Sequence, residues 1–373
     1  MKKVLFVANT AGFSKFNAPY MQWFKDQGWR VDNAAPGIEL GNVDNQYDLT
    51  IERSPFSANN FKAYRLLKKI IDTNDYDLIH CHTAVGGMLA RLAGMSARKK
   101  KTKIIYTAHG FHFFKGAPLK YWLFFFPMEF VLSRLTDVLV TINQEDYELA
   151  NKYKMAQSKI YKIEGVGVNL DRFKPFSVTT RDEVRKSFGL EEDDFIILYT
   201  AQFIVRKNHK ILIESLPRLV TKIPNLKVLL AGNGETLDSS KLLAKELGVS
   251  HTINFLGGRR DIEVLCAIAD LHVATSIQEG QGINNIEAMA CGCPIVVSQI
   301  RGHRDVCIDG QNGFMFELND PQGMESAIVK LYKDKELYRI ISENNKVDAQ
   351  KYSVTKEVEC MGVIYNKTVQ SNF

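Results

Sequence analysis

A chain of 373 residues exceeds what one hydrophobic core usually supports, about 100 to 200 residues per domain, so two domains are expected. Hydrophobic residues at 45% beside charged residues at 24% exclude a disordered or low-complexity protein. A formal charge of +6, with no aromatic-and-basic RNA motif, zinc finger or helix-turn-helix pattern, argues against nucleic acid as a partner.

The chain opens on MKKVLFVANTAGF, where Asn9 and Thr10 interrupt the apolar run before signal-peptide or spanning length. It reads as a first β-strand. A helix near Asn17 to Gln27, the strand DLIHCHT, a helix from Gly86 to Met95 and the strand TKIIYTAHG follow, and then DVLVTIN and KIYKIEG. Such alternation predicts βαβ units with a parallel sheet. Lys62, Arg65, Lys68 and Lys69 share one helical stretch, and RKKKTK runs from Arg98 to Lys103. Charge runs usually mark a solvated face, although a cytoplasmic leaflet rich in anionic lipid attracts the same clusters.

Residues 111–135, FHFFKGAPLKYWLFFFPMEFVLSRL, have the most unusual composition. Lys115, Lys120 and Glu129 make the run too polar and too short to span a bilayer. Two readings stay open: a buried helix, or an interfacial surface resting on a membrane that holds a lipid-linked acceptor.

Glycines and a proline break the pattern in GVGVNLDRFKP, residues 165–175, which marks a linker. A second series then begins at DDFIILYTAQF and continues through NLKVLLAGNGE, TINFLGG, DLHVATS and CPIVVSQ. The expectation is an α/β protein of two doubly wound, Rossmann-like domains facing across a cleft, with ligands at the carboxyl ends of their strands. The boundaries are 1–168, 169–350 and a C-terminal helix over 351–373, with packing back on the first domain as one arrangement open to it. Cysteines 81, 266, 291, 293, 307 and 360 sit in apolar segments and read as reduced, buried thiols of a cytoplasmic protein.

Two stretches carry candidate chemistry. In SIQEGQGINNIEAMACG a strand leads through a glycine turn into a helix, so the amides of Gly282, Ile283, Asn284 and Asn285 form an anion seat. Glu279 and Glu287 flank it, and carboxylates accept hydrogen bonds from vicinal sugar hydroxyls. A glycine-started helix with two solvated acids is the plainer alternative. In TAQFIVRKNHKILIES, Arg206 and Lys207 lie between a strand end and a helix, which suits a diphosphate. A merely solvated cation pair fits that stretch too.

The Glu279 to Glu287 spacing, AMACGCPIVVS, DGQNGFMF (309–316) and GVNLDRFKP together resemble retaining glycosyltransferases of the GT-B fold in the large family numbered four. HCHTAVGGMLARLAG and IIYTAHGFHFFKGAP look similar to bacterial capsular and exopolysaccharide transferases in particular. The resemblance implies a nucleotide-sugar donor held mainly by the C-terminal domain and an acceptor held mainly by the N-terminal one. It assigns Lys207 to the donor diphosphate, Glu287 to the ribose and Glu279 to the donor sugar. Arg260, in LGGRRDI, belongs to the loop around the base, His109 to the sugar's reacting face, and Gly12 to a glycine loop after the first strand. Relatives often carry Gly-Arg where this chain has Ala201-Gln202, and Arg206 is the candidate replacement charge. Gln281 stands where they often carry phenylalanine.

The expected reaction moves a hexose or N-acetylhexosamine from a UDP-sugar to a lipid-linked glycan with retention, without metal or other cofactor. The acceptor implies contact with the inner face of the cell membrane. The resemblance favours same-face attack over a covalent intermediate on Glu279. The alternatives are a UDP-sugar epimerase or a non-catalytic sugar-nucleotide-binding protein on the same fold. A nicotinamide dehydrogenase wants G-x-G-x-x-G after the first strand, where VLFVANTAGF has only Gly12. Asp75-Tyr76-Asp77 reads as a turn rather than a metal-binding acid pair, and His80 and His82 as a polar strand end rather than zinc ligands. Cys291 and Cys293 read as small buried residues.

Overall fold

The computed structural model describes residues 1–37 and 40–370. It divides the chain into two compact units, Met1–Gly167 together with Val354–Phe373, and Val168–Ser353. Residues 371–373, the end of the expected C-terminal helical segment, lie outside the described residues.

The first unit is built on seven parallel strands: β1 (Lys3–Val7), β2 (Arg30–Ala34), β3 (Asn45–Tyr47), β4 (Leu78–His82), β5 (Lys103–Ala108), β6 (Val138–Thr141) and β7 (Lys159–Lys162). Their order is β3-β2-β1-β4-β5-β6-β7, so the direction of winding reverses between β1 and β4. Helices cover both faces, which is why VLFV of β1 is apolar without alternation and wholly buried. Period two then sorts these residues. Leu5 and Val7 pack with Leu67, Ile71 and Ala90 on one face, and Val4 and Phe6 with Met21, Phe24 and Tyr365 on the other.

The helix expected near Asn17 begins six residues earlier, at Ala11, and ends at Asp26. Thr10 is extended at φ −141° and serves as its N-cap residue. Ser14 and Asn17 are buried on this helix, so its inward face mixes polar with apolar residues and the hydrophobic period is masked. Gly12 therefore sits in a helical first turn, and the glycine loop expected after β1 is absent there. The helix Val354–Gln370 completes this unit: Tyr365 Oη lies 2.8 Å from His80 Nδ1, and the Glu164 amide donates to Glu357. Five of the cysteines are buried, but Cys360 is exposed on the outer face of that last helix.

The second unit holds six parallel strands: β8 (Phe195–Thr200), β9 (Leu226–Ala231), β10 (Ile253–Gly257), β11 (Leu271–Ala274), β12 (Ile295–Ser298) and β13 (Gly313–Phe316). The order β10-β9-β8-β11-β12-β13 places its winding reversal between β8 and β11. Loops leaving the carboxyl ends of those two strands flank the position where such sheets bind ligands. They carry Arg206-Lys207 and Glu279.

Candidate active site

After β8 the chain runs through Ala201 to Ile204 into a single 3₁₀ turn, Val205–Lys207, and then the helix His209–Leu219. Asn208 joins the two in the left-handed conformation, at φ 52°, which asparagine tolerates better than most residues. This segment is pinned by its neighbours. Tyr199 Oη donates to the Lys207 carbonyl at 2.7 Å, Thr275 Oγ1 donates to that of Asn208 at 2.8 Å, and the Ile277 amide donates to that of Arg206. Gly232 and Gly234 pack so closely under it that a Cβ on either would collide with the carbonyls of Ala201 and Phe203. The backbone that aims both cations is thus held from two sides.

Lys207 Nζ lies 2.6 Å from Glu279 Oε1, and Arg206 Nη1 lies 3.3 Å from Oε2. Arg206 also donates to the Gln278 carbonyl at 3.0 Å. Glu279 is buried, contrary to the reading of a solvated acid. Burial pushes its carboxyl up, but the Lys207 ammonium and the Arg206 guanidinium outweigh that and hold it below the ordinary carboxylate range. The buried anion thus lies between two cations, one of them 44% exposed, so the group carries a net positive charge.

Gly282 opens the helix Ile283–Ala290 at φ +88°, where a side chain is strained and a Cβ would also press on Asn285 and His303. Of the four expected amides, that of Asn285 is already bonded to the Gly282 carbonyl. Gly282, Ile283 and Asn284 remain the turn's candidates. The Asn284 side chain is committed to the Thr200 carbonyl at 3.0 Å, which ties this turn to the end of β8.

Glu287 occupies the second turn, and burial with the nearby Glu263 carboxylate raises it to about 7 against the opposing pull of Arg172. Arg172, in the linker phrase, donates to the Arg260 carbonyl and to Glu263, both at 2.6 Å. The Arg260 side chain is exposed.

Sequence reasoning missed four supports of this site: Arg172, Arg301, Gly232 and Gly234. Arg301 is buried and its Nε donates to the Glu279 carbonyl at 3.4 Å. The signal was present, because SQIRGHRD places cations after a strand end just as TAQFIVRKN does.

In the first unit, His109 follows β5, with its Nε2 3.0 Å from His82 Nδ1 and its ring 4.5 Å from Phe13. His80 and His82 are fully buried rather than a polar strand end. Their rings stand 4.1 Å apart, and His80 Nε2 pairs with Thr107. Asp77 accepts the Lys3 amide at 2.8 Å and Tyr76 Oη donates to Asp32 at 2.6 Å, so that stretch is a structural turn.

Two doubly wound parallel units with these strand-end loops define a GT-B fold. The chain superposes with a TM-score of 0.81 on Anabaena Alr3699/HepE solved with UDP and glucose, at 20% identity over 98% of this chain and all of that one. The model of Glycosyl transferases group 1 matches residues 180–348, and that of Glycosyl transferase 4-like matches residues 3–142. The chain belongs to this glycosyltransferase family and is a hexosyltransferase. EpsD of Bacillus subtilis (strain 168), assigned by name to the glycosyltransferases, is 44% identical over 98% of this chain and 96% of its own. The Escherichia coli UDP-Gal:alpha-D-GlcNAc-diphosphoundecaprenol alpha-1,3-galactosyltransferase is 27% identical over 81% of this chain and 77% of its own.

Proposed function

We propose that this enzyme transfers a hexose or N-acetylhexosamine from a UDP-sugar to a lipid-linked glycan in cell-surface polysaccharide assembly, with retention of the anomeric configuration. The observation that carries the reading is the ion pair of Lys207 with the buried Glu279 beside the Gly282 turn. As the glycosidic bond breaks, negative charge grows on the leaving diphosphate. Lys207, Arg206 and the amides of the Gly282 turn stabilise that charge by preorganised electrostatics, so no metal is required. Glu279 orients the sugar and Glu287 accepts from the ribose hydroxyls. Arg206 supplies the charge that Ala201-Gln202 lacks. The leaving phosphate takes the acceptor's proton on the same face.

A panel of UDP- and GDP-sugars, with and without a polyprenyl-diphosphate-linked acceptor, tests this by nucleotide release. UDP release that needs the acceptor and survives EDTA is expected; no release from any donor sinks the reading.

Glu287 adds a pH signature. Its native carboxyl keeps a proton up to about 7, whereas the unfolded one loses it in the ordinary carboxylate range. Its stabilising contribution is therefore complete at low pH and is lost as pH rises through about 7. Ionised, it accepts hydrogen bonds more strongly, so the donor KM should fall across the same interval. Glu287→Gln should flatten both profiles; a KM that still follows pH in that variant removes Glu287 from the donor site.

The helix Leu119–Leu132 supports the lipid-linked acceptor. Within it only Glu129 and Leu132 are buried, while Leu119, Leu123 and Val131 are 71%, 70% and 65% exposed. Phe56, 78% exposed, extends this surface by packing its ring 5.0 Å from that of Phe124. Lys120 and Arg134 rim the patch, and no helix among the described residues is long and apolar enough to cross a membrane. An apolar ridge with cationic flanks suits the surface of an anionic leaflet. Flotation with phosphatidylglycerol-containing vesicles is expected, and Leu123→Ser with Phe124→Ser should abolish it. Equal flotation of that double variant would refute membrane contact through this helix.

A further inference from the structure

We propose that His82 is a positioning residue that sets the tautomer of His109, so that His109 presents its Nδ1–H as a neutral hydrogen-bond donor to the substrate. This rests on the assignment of His109 to the sugar's reacting face. The bond between His82 Nδ1 and His109 Nε2 is 3.0 Å long, so one of these nitrogens carries the proton and the other accepts it. The other nitrogen of His82, Nε2, is buried and has no partner among the described residues.

Those two facts decide the direction. If His109 Nε2–H donated, neutral His82 would carry its own proton on Nε2, as a buried N–H with nothing to bond. A buried N–H without an acceptor is less common in folded proteins than an acceptor with a lone pair unused. With His82 Nδ1–H donating, the unpaired atom is only a lone pair among the rings of Phe6 and Phe13, both stacked on His82. The proton of His109 then lies on Nδ1. Among the described residues no group bonds that atom, and His109 is only partly buried.

The surroundings hold this arrangement. His80, packed against His82, is itself fixed by Thr107 on one nitrogen and Tyr365 on the other. Thr83, directly after His82, turns the chain at φ 67°, a conformation that strains a β-branched residue and persists only where the surroundings impose it. Burial keeps the imidazoles of His80, His82 and His109 neutral at physiological pH. A neutral donor can bind a sugar oxygen without setting a full positive charge beside a cation-like transition state.

Long-range ¹H–¹⁵N spectra of the full chain labelled with ¹⁵N-histidine, assigned by loss of signal in His109→Ala, test this without substrate. His109 should appear protonated on Nδ1, and a proton on Nε2 overturns the proposal. His82→Leu and His82→Gln should lower kcat by about 10- to 100-fold, the size expected of a misplaced reacting group. UDP release from UDP-glucose and UDP-N-acetylglucosamine with a polyprenyl-diphosphate-linked acceptor is the readout, and donor KM should stay within about twofold of wild type on the same ground.

His82→Asn places an amide N–H where Nδ1 stood and should restore both the tautomer and turnover. Wild-type turnover in a folded His82→Leu, or failure of Asn to outperform Gln, refutes the positioning role. Unchanged turnover in His109→Ala instead overturns the substrate assignment beneath it, whatever the spectra show.

Discussion

Replacing Lys207 by alanine should reduce kcat/KM for the UDP-sugar by about 10²–10³-fold, the usual cost of removing one preorganised donor from a developing anion. Two effects act together. On the proposed reading the leaving diphosphate loses the Lys207 ammonium, and Glu279 loses its partner at 2.6 Å while remaining buried. In the native chain that carboxyl is held low, so its contribution to stability is present above the ordinary carboxylate range and lost as pH falls through the depressed value. Without Lys207 burial dominates, and Glu279 takes up a proton at higher pH. Lys207→Arg should rescue poorly, since a planar fork does not reproduce a compact charge.

Arg206→Ala should cost less in stability, because its pair is longer and more exposed, and exposed ion pairs are worth about 0–1 kcal/mol. Its effect belongs on donor KM. An unchanged KM would show that Arg206 does not replace the charge missing at Ala201-Gln202. Steady-state kinetics across the three variants decide the matter, and a Lys207→Ala enzyme within threefold of wild type, far short of the expected loss, would remove Lys207 from the diphosphate site.

The second large effect lies in the first unit. Arg91 is buried, with Nη1 2.8 Å and Nη2 3.1 Å from the two oxygens of Glu129, and its guanidinium stacks 4.0 Å from the Tyr106 ring centroid. Glu129→Leu strands that guanidinium in the core, which typically costs about 3–5 kcal/mol. For a unit of this size the melting temperature should drop by roughly 10 °C or more. Arg91→Leu combined with Glu129→Leu should recover most of the loss, because an apolar pair replaces a buried ion pair at little net cost. Calorimetry on the two variants checks this, and a single variant within 1 kcal/mol of wild type would contradict it. The pair also fixes the roll of the helix Leu119–Leu132. With Glu129 tied inward, Leu123 and Val131 are left on the outside.

Much of the architecture was legible in local pattern. VLFV, IILY and IVVS are apolar without alternation because parallel strands are covered on both faces, and the glycines and proline of 165–175 mark where the series restarts. The helix after β1 was misplaced because Ser14 and Asn17 are buried polar residues, and periodicity assumes an apolar inward face. Residues 111–135 stayed ambiguous for the opposite reason. A helix apolar all round gives no sign of which side is covered, and the tertiary contacts decide it: Glu129 is drawn in by Arg91, and Trp122, Phe125 and Phe126 pack on the core.

The sequence alone determined the strand-turn-helix units, the linker and the residue types at each strand end, since these depend on neighbours a few positions apart. Tertiary structure decided the partnerships. It brings Lys207 to Glu279 across seventy-two positions, Arg172 to the Arg260 carbonyl and His82 to His109, and it turns a solvated acid into a buried one. Strand order sets these contacts, because β8 lies beside β11, and burial then sets the charge states. Neither quantity is a function of local sequence.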